Sequence, residues 1–331
     1  MISCDDFEKK KLLFVFLNTG ERISFLNDNV IVKDKDNNVK MQTTCYRIWA
    51  LFIVGSFTIT TGLIQRAKKF GFPILLLTHS LKFYERLGFY MEGNVSLRKR
   101  QYSYKELSIA LFLIQNKISN QLMVLKERRN KDKVLKDTIE KLEKYQEKTK
   151  VFDGNLQELL GIEGNAAKIY FKQQFDNVDW HGRKPRVKSD YVNSCLDIGY
   201  SILFNIIESL LSLFGFDTYK GVLHTEFYMR KSLVCDIMEP FRPIIDIQLR
   251  KSINLKQIQP DDFIFVNHEY KLDLKSNKKI VSIFTVAIID RKIEIFDYVK
   301  KYYRYFMANK EKEKFSDVPW FNVVKVNNGN S

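Results

Sequence analysis

Cysteine is scarce in this 331-residue chain: Cys4, Cys45, Cys195 and Cys235 are scattered, and no two form a CxxC pair. That scatter excludes a zinc ribbon or a disulfide-stapled scaffold and fits free buried thiols in a reducing cytoplasm. Long clean apolar runs are missing too. Residues 48–64 are interrupted by Gly55, Thr58, Thr60, Thr61 and Gly62, and residues 200–216 carry Asn205, Glu208 and Ser212. Neither offers the roughly 20 apolar residues of a membrane span, so the chain reads as soluble, without a membrane partner. Asp5, Asp6 and Glu8 stand where the basic region of a secretory signal would be. No phosphate-binding P-loop, GxGxxG fingerprint, nucleophile elbow or internal repeat occurs. The usual signatures of nucleotide-cofactor and serine-hydrolase chemistry are therefore absent.

Acid is also in deficit. Against 54 Lys+Arg there are 39 Asp+Glu, a net charge of +15. That excess favours a polyanionic partner, either nucleic acid or an anionic membrane surface. A hydrophobic content of 45% is enough for one large or two moderate cores.

Residues 12–80 read as β-rich. Apolar runs at 12–17, 23–26 and 30–32 are separated by the turn signals Asn18-Thr19-Gly20 and Asn27-Asp28-Asn29. Short strands with short turns predict an antiparallel meander or small sandwich. Residues 46–59 continue the β-enrichment, 61–70 predict a helix, and 74–77 a buried strand. Composition shifts across a mixed link at 81–92, after which apolar spacing becomes helical. Residues 126–150 predict an amphipathic helix with a Leu135, Ile139, Leu142 stripe. Gly154 and Gly161 punctuate the approach to a helix that places Glu163 at or near its start. Residues 193–214 and 280–307 predict two further helices, and Lys310 to Lys314 opens a charged tail. The fold class expected is α+β: an N-terminal antiparallel β-rich domain (1–85), a larger all-α domain (86–305) and a charged tail (306–331).

The stretch HTEFYMRKSLVCDIMEPFRP, His224 to Pro243, carries the densest chemistry. On a helix, Asp236 and Glu239 share one side, with Leu233 and Ile237 on the other. Pro240 and Pro243 would then stop the helix. An imidazole and two carboxylates suit a hard divalent cation; an ordinary surface helix with a hydrogen-bonded histidine fits the spacing equally. The loop 176–190, with Trp180, Arg183, Lys184, Arg186 and Lys188, suits phosphate contact or simple solvation. The cluster Arg98-Lys99-Arg100 offers a second basic patch.

Four motifs in order resolve the choice. They are Glu163-Gly164-x-Ala166-Ala167-x-x-Tyr170-Phe171, Asn193-x-x-Leu196-x-x-Gly199-Tyr200, Gly221-x-Leu223-His224, and Ser232-Leu233-Val234-x-Asp236-x-Met238-Glu239-Pro240-Phe241-Arg242-Pro243. Gly55-x-x-x-Ile59-Thr60-Thr61, Arg100-Gln101-Tyr102 and Lys117-Ile118-x-Asn120-Gln121 lie upstream. Together they resemble Cas-one, the CRISPR spacer-acquisition integrase family, over most of residues 10–300. The resemblance implies an N-terminal β-domain for dimerisation and an α-helical catalytic domain. It implies catalytic metal ligands at Glu163, His224 and Glu239, a supporting acid at Asp236, and Mg²⁺ or Mn²⁺ as cofactor. It further implies strand transfer of spacer-DNA 3′-hydroxyls into a CRISPR repeat, with associated endonuclease activity, by a homodimer assembled on the small partner Cas-two. A structure-selective nuclease using the same site, or a non-catalytic DNA-binding scaffold, are the alternatives. Arg98, Lys99, Arg100, Arg183, Lys184, Arg186 and Lys188 are the candidate DNA contacts. Thr218 stands where many relatives carry proline, and predicts a less rigid turn before His224.

Overall fold

A computed structural model describes residues 4–79, 83–89, 91, 93–273, 275–308 and 318–324. After the short helix α1 (Cys4–Glu8) come strands β1 (Lys11–Leu17), β2 (Arg22–Leu26), β3 (Asn29–Lys33), β4 (Val39–Thr44) and β5 (Ile48–Gly55). Helix α2 (Thr61–Phe70) and strands β6 (Pro73–Leu77) and β7 (Phe83–Gly88) complete the strand-rich part. Thr60 caps α2, its hydroxyl accepting the amide of Leu63, and Gly71 ends it at φ +71°, a left-handed conformation that glycine adopts without penalty.

The strand-rich part differs from an antiparallel meander. β2-β3-β4 is antiparallel as expected, but β1-β5-β6-β7 is mixed: β1 and β6 flank β5 in parallel, and only β7 runs antiparallel. The reason lies in β5, whose residues from Ile48 to Val54 are all buried. A strand apolar on both faces belongs at the centre of a covered sheet, where parallel pairing is common. Ile48, Leu51 and Ile53 face a small core with α2 and the antiparallel sheet, whereas Trp49, Phe52 and Val54 face the helices. β7 carries this sheet past residue 85.

The helical part comprises α3 (Val95–Ser103), α4 (Ser108–Lys126), α5 (Lys133–Lys150), α6 (Leu156–Gln174), α7 (Tyr191–Phe214), α8 (Ser232–Met238) and α9 (Arg242–Asn254). A hairpin of β8 (Phe263–Val266) and β9 (Glu269–Leu272) follows, then α10 (Asn277–Ile289) and α11 (Lys292–Met307). The expected single helix over 280–307 is thus two, divided at Asp290 and Arg291. α7 is long and apolar enough to cross a membrane, yet most of it is buried among the other helices. The stripe Leu135, Ile139, Leu142 is buried as its spacing predicts.

Within the expected charged tail, the described residues 318–324 pack against the helices. Lys310 to Lys314 lie outside the described residues, but Val318, Phe321 and Val323 are buried. Asn116 and Asn120 of α4 bond the backbone of Phe321 and Val323, and Phe321 packs on Phe241. Apolar side chains among the charges draw the segment into the core.

Candidate active site

Glu163 lies within α6 rather than at its start. Asn155 caps that helix, accepting the amides of Gln157 and Glu158, so it begins well before Glu163. Gly161 and Gly164 are interior positions with open space where a Cβ would sit, and they break nothing. Likewise Pro240 and Pro243 do not stop the helical run. α8 passes through a 3-10 turn, Glu239–Phe241, into α9, and each proline occupies the opening of the next segment, where its missing N–H costs little. Glu239, which opens the 3-10 turn, is buried.

Two carboxylates converge on one cation. Lys117 of α4 pairs with Glu163 and, at 2.6 Å, with Glu239. The Arg242 Nε stands 3.0 Å from the other Glu239 oxygen. Burial pushes Glu239 up, but Arg242, Lys117 and His224 outweigh it and hold the carboxyl down at about 2. Burial pulls Lys117 down, yet Glu163 and Glu239 outweigh it and raise its pKa. Glu239 therefore bears full negative charge at neutral pH.

His224 is held from behind. Its Nδ1 lies 2.6 Å from Asp236 Oδ1, and the wholly buried Asp236 also accepts the amides of Val222, Leu223 and His224. With Nδ1–H donated to a carboxylate, the imidazole presents Nε2 as its lone pair. Gly221 permits this approach: a Cβ there would stand 2.7 Å from Asp236 Oδ2 and 3.0 Å from the His224 carbonyl. The turn containing Thr218 is pinned by Gln101, whose amide bonds the carbonyls of Asp217 and Lys220. Side-chain bonds thus stiffen the turn without a proline.

As they stand, the donors form no closed set. Among the described residues no three His, Cys, Asp or Glu groups are arranged to hold a metal ion. The position shared by Glu163 and Glu239 is nevertheless a cation position. Glu239 Oε2 has no partner of hydrogen-bonding geometry, and carboxylate oxygens with an imidazole nitrogen suit Mg²⁺ or Mn²⁺. By chemistry the residues fit such an ion.

Glu163, Glu239, Lys117 and Arg242 line a cavity of about 1200 Å³ that the basic loop also lines, with Lys184, Arg186 and Lys188. Arg183 also lines it, but its guanidinium is engaged with Asn193 and with Asp197 at 2.6 Å. Lys184 and Arg186 are exposed. His224 is not part of the lining. Arg98 and Arg100 are committed elsewhere, bonding the carbonyls of Gly215, Phe306 and Ala308, and only Lys99 of that cluster is exposed. Sequence reasoning assigned no role to Lys117 or Arg242. The signal for Lys117 was a lone charge within the apolar run of α4.

A sequence model described as CRISPR associated protein Cas1 matches residues 14–285. The CRISPR-associated endonuclease Cas1 2 of Rhodospirillum rubrum is 29% identical over 275 residues, covering 77% of this chain and 80% of that protein. The CRISPR-associated endonuclease Cas1 1 of Archaeoglobus fulgidus is 26% identical over 271 residues, covering 73% and 78%. Among solved structures, a Cas1 protein from Thermotoga maritima superposes with TM-score 0.78 at 18% identity, over 91% of this chain and 98% of that one. A casposase bound to integration product gives TM-score 0.74 at 21% identity, over 96% of each chain. A Cas6-RT-Cas1–Cas2 complex chain gives 0.77 at 22% identity, over 96% of this chain and 36% of that one. At such identities the structural likeness concerns fold. With most of its length matched by the family model, this chain belongs to the CRISPR associated protein Cas1 family, the Cas-one family whose motifs it carries.

Proposed function

We propose that this protein is a CRISPR adaptation integrase that joins spacer-DNA 3′-hydroxyl ends to the CRISPR repeat by metal-dependent strand transfer. The observation that carries the reading is the convergence of Glu163 and Glu239 on one cation position, with His224, oriented by a buried acid, close enough to act electrostatically on Glu239. Glu163, His224 and Glu239 would hold Mg²⁺ or Mn²⁺, which when bound polarises a phosphoryl oxygen and neutralises developing charge. Asp236 keeps the imidazole in the tautomer whose Nε2 is a lone pair, and Arg242 keeps Glu239 ionised. Taking up the ion requires Lys117 to yield its place between the carboxylates. Lys184 and Arg186, which line the same cavity, supply phosphate contacts. In the reaction a 3′-hydroxyl oxygen bonds to phosphorus as the existing phosphodiester oxygen leaves, so no protein nucleophile is needed. Water in place of the hydroxyl gives the endonuclease reaction named for the relatives. The partner in this reading is Cas2, supported by the Cas6-RT-Cas1–Cas2 complex among the structural neighbours, and the protein would meet it as a homodimer.

The test is a joining assay with a labelled duplex bearing free 3′-hydroxyls, a repeat-carrying supercoiled plasmid, Cas2 and Mn²⁺. Label should join the plasmid, and Glu163→Ala or a 3′-blocked duplex should abolish joining. Nicking without joined label would favour a nuclease alone. No reaction at all would leave a DNA-binding scaffold.

A further inference from the structure

Asp246 lies one turn beyond Arg242 on α9, buried, in the wall of the same cavity. It has no ion-pair partner among the described residues. Its Oδ1 accepts the Tyr200 hydroxyl of α7 at 2.5 Å and its Oδ2 the Tyr170 hydroxyl of α6 at 3.1 Å. Its carbonyl accepts the side-chain amide of Gln174, also on α6, at 3.1 Å. The helices bearing Glu163, Tyr200 and Arg242 therefore meet on one carboxylate. A buried acid without a cation is costly, and apolar packing of equal volume is commonly as stable, so stability does not account for it.

Tyr200 shows what the acid does. Its ring carries the Arg242 guanidinium at 4.7 Å and the Arg183 guanidinium at 5.4 Å, both within cation–π reach. Arg242 is the cation on Glu239, and Arg183 anchors the basic loop to Asp197. The ring is thus a post between the carboxylate wall and the phosphate-binding wall. We infer that Asp246 is a positioning residue: by gripping the Tyr200 hydroxyl it sets the spacing between the Glu239–Arg242 pair and the loop that meets the DNA backbone. The inference rests on the strand-transfer reading of this cavity.

Tyr170 supplies the control, because Tyr200→Phe and Tyr170→Phe each delete one hydroxyl from the same acid. A purely structural role predicts equal effects. A positioning role predicts similar losses of melting temperature, but a fall of about tenfold in joining rate at saturating DNA for Tyr200→Phe only. The half-saturating DNA concentration should stay within about twofold, since Lys184 and Arg186 are untouched. Amide exchange over residues 182–188 and 239–242 should quicken in Tyr200→Phe and not in Tyr170→Phe. Should Tyr200→Phe misfold, Asp246→Asn replaces it in the comparison. Matched rates and matched exchange in the two variants would overturn the inference. Failure of the wild type to join DNA would instead overturn the strand-transfer reading, and the exchange comparison would still decide the role of Asp246.

Discussion

Buried acids do three different jobs here, set by what faces them. Asp236 meets an imidazole and three amides, Glu239 meets two cations, and Asp246 meets two tyrosine hydroxyls. For Asp246 burial dominates over the tyrosine hydrogen bonds and raises its pKa from 3.8 to about 6. Between those values the folded protein keeps a proton that the unfolded chain has released. Its contribution to stability is therefore complete below the unfolded value and is lost as pH rises through the folded one. Thermal melts of the wild type and Asp246→Asn across this window should show the wild type losing stability relative to the variant as pH rises. A pH-independent difference would mean that the carboxyl stays ionised throughout.

At the scale of elements, the kinked run from α8 to α9 places the chemistry, and its support comes from far along the chain. Asn120 bonds the Pro240 carbonyl with the same amide that bonds the Phe321 carbonyl. Phe321 in turn packs on Phe241 and lies under the Arg291 guanidinium. The segment 318–324 is thus a brace beneath the 3-10 turn that Glu239 opens. Phe321→Ala should cost about 3–5 kcal/mol, the usual toll for an emptied aromatic site, and lower the denaturation midpoint. A loss below about 1 kcal/mol would place the segment outside the folded core.

For the whole molecule, charge and layering work together. The mixed sheet is packed on both faces, so the strand-rich part shares its core with the helices rather than hanging from a linker. The net charge of +15 is general, but the cavity gives it direction through Lys184 and Arg186. Replacing both with alanine should weaken duplex binding and reduce the slope of log affinity against log salt by roughly 1 per lost contact. An unchanged slope would remove the loop from the DNA interface.

Local pattern alone determined much of this protein. The limits of α2, the buried stripe of α5, the strands flanking Asn27-Asp28-Asn29 and the ordered motifs through Glu239 all follow from neighbours within a few residues. What lay beyond that range was decided by tertiary structure. Pairing β1 with β5 requires the two hairpins between them to fold aside. Passing from α8 into α9 depends on Pro240 and Pro243 landing at helix openings. The partner of His224 could not be named until the turn at Gly221 brought it back onto Asp236. Lys117 comes between Glu163 and Glu239 only when three helices pack. Each is a contact between residues far apart in sequence, and periodicity carries no information about distances of that kind.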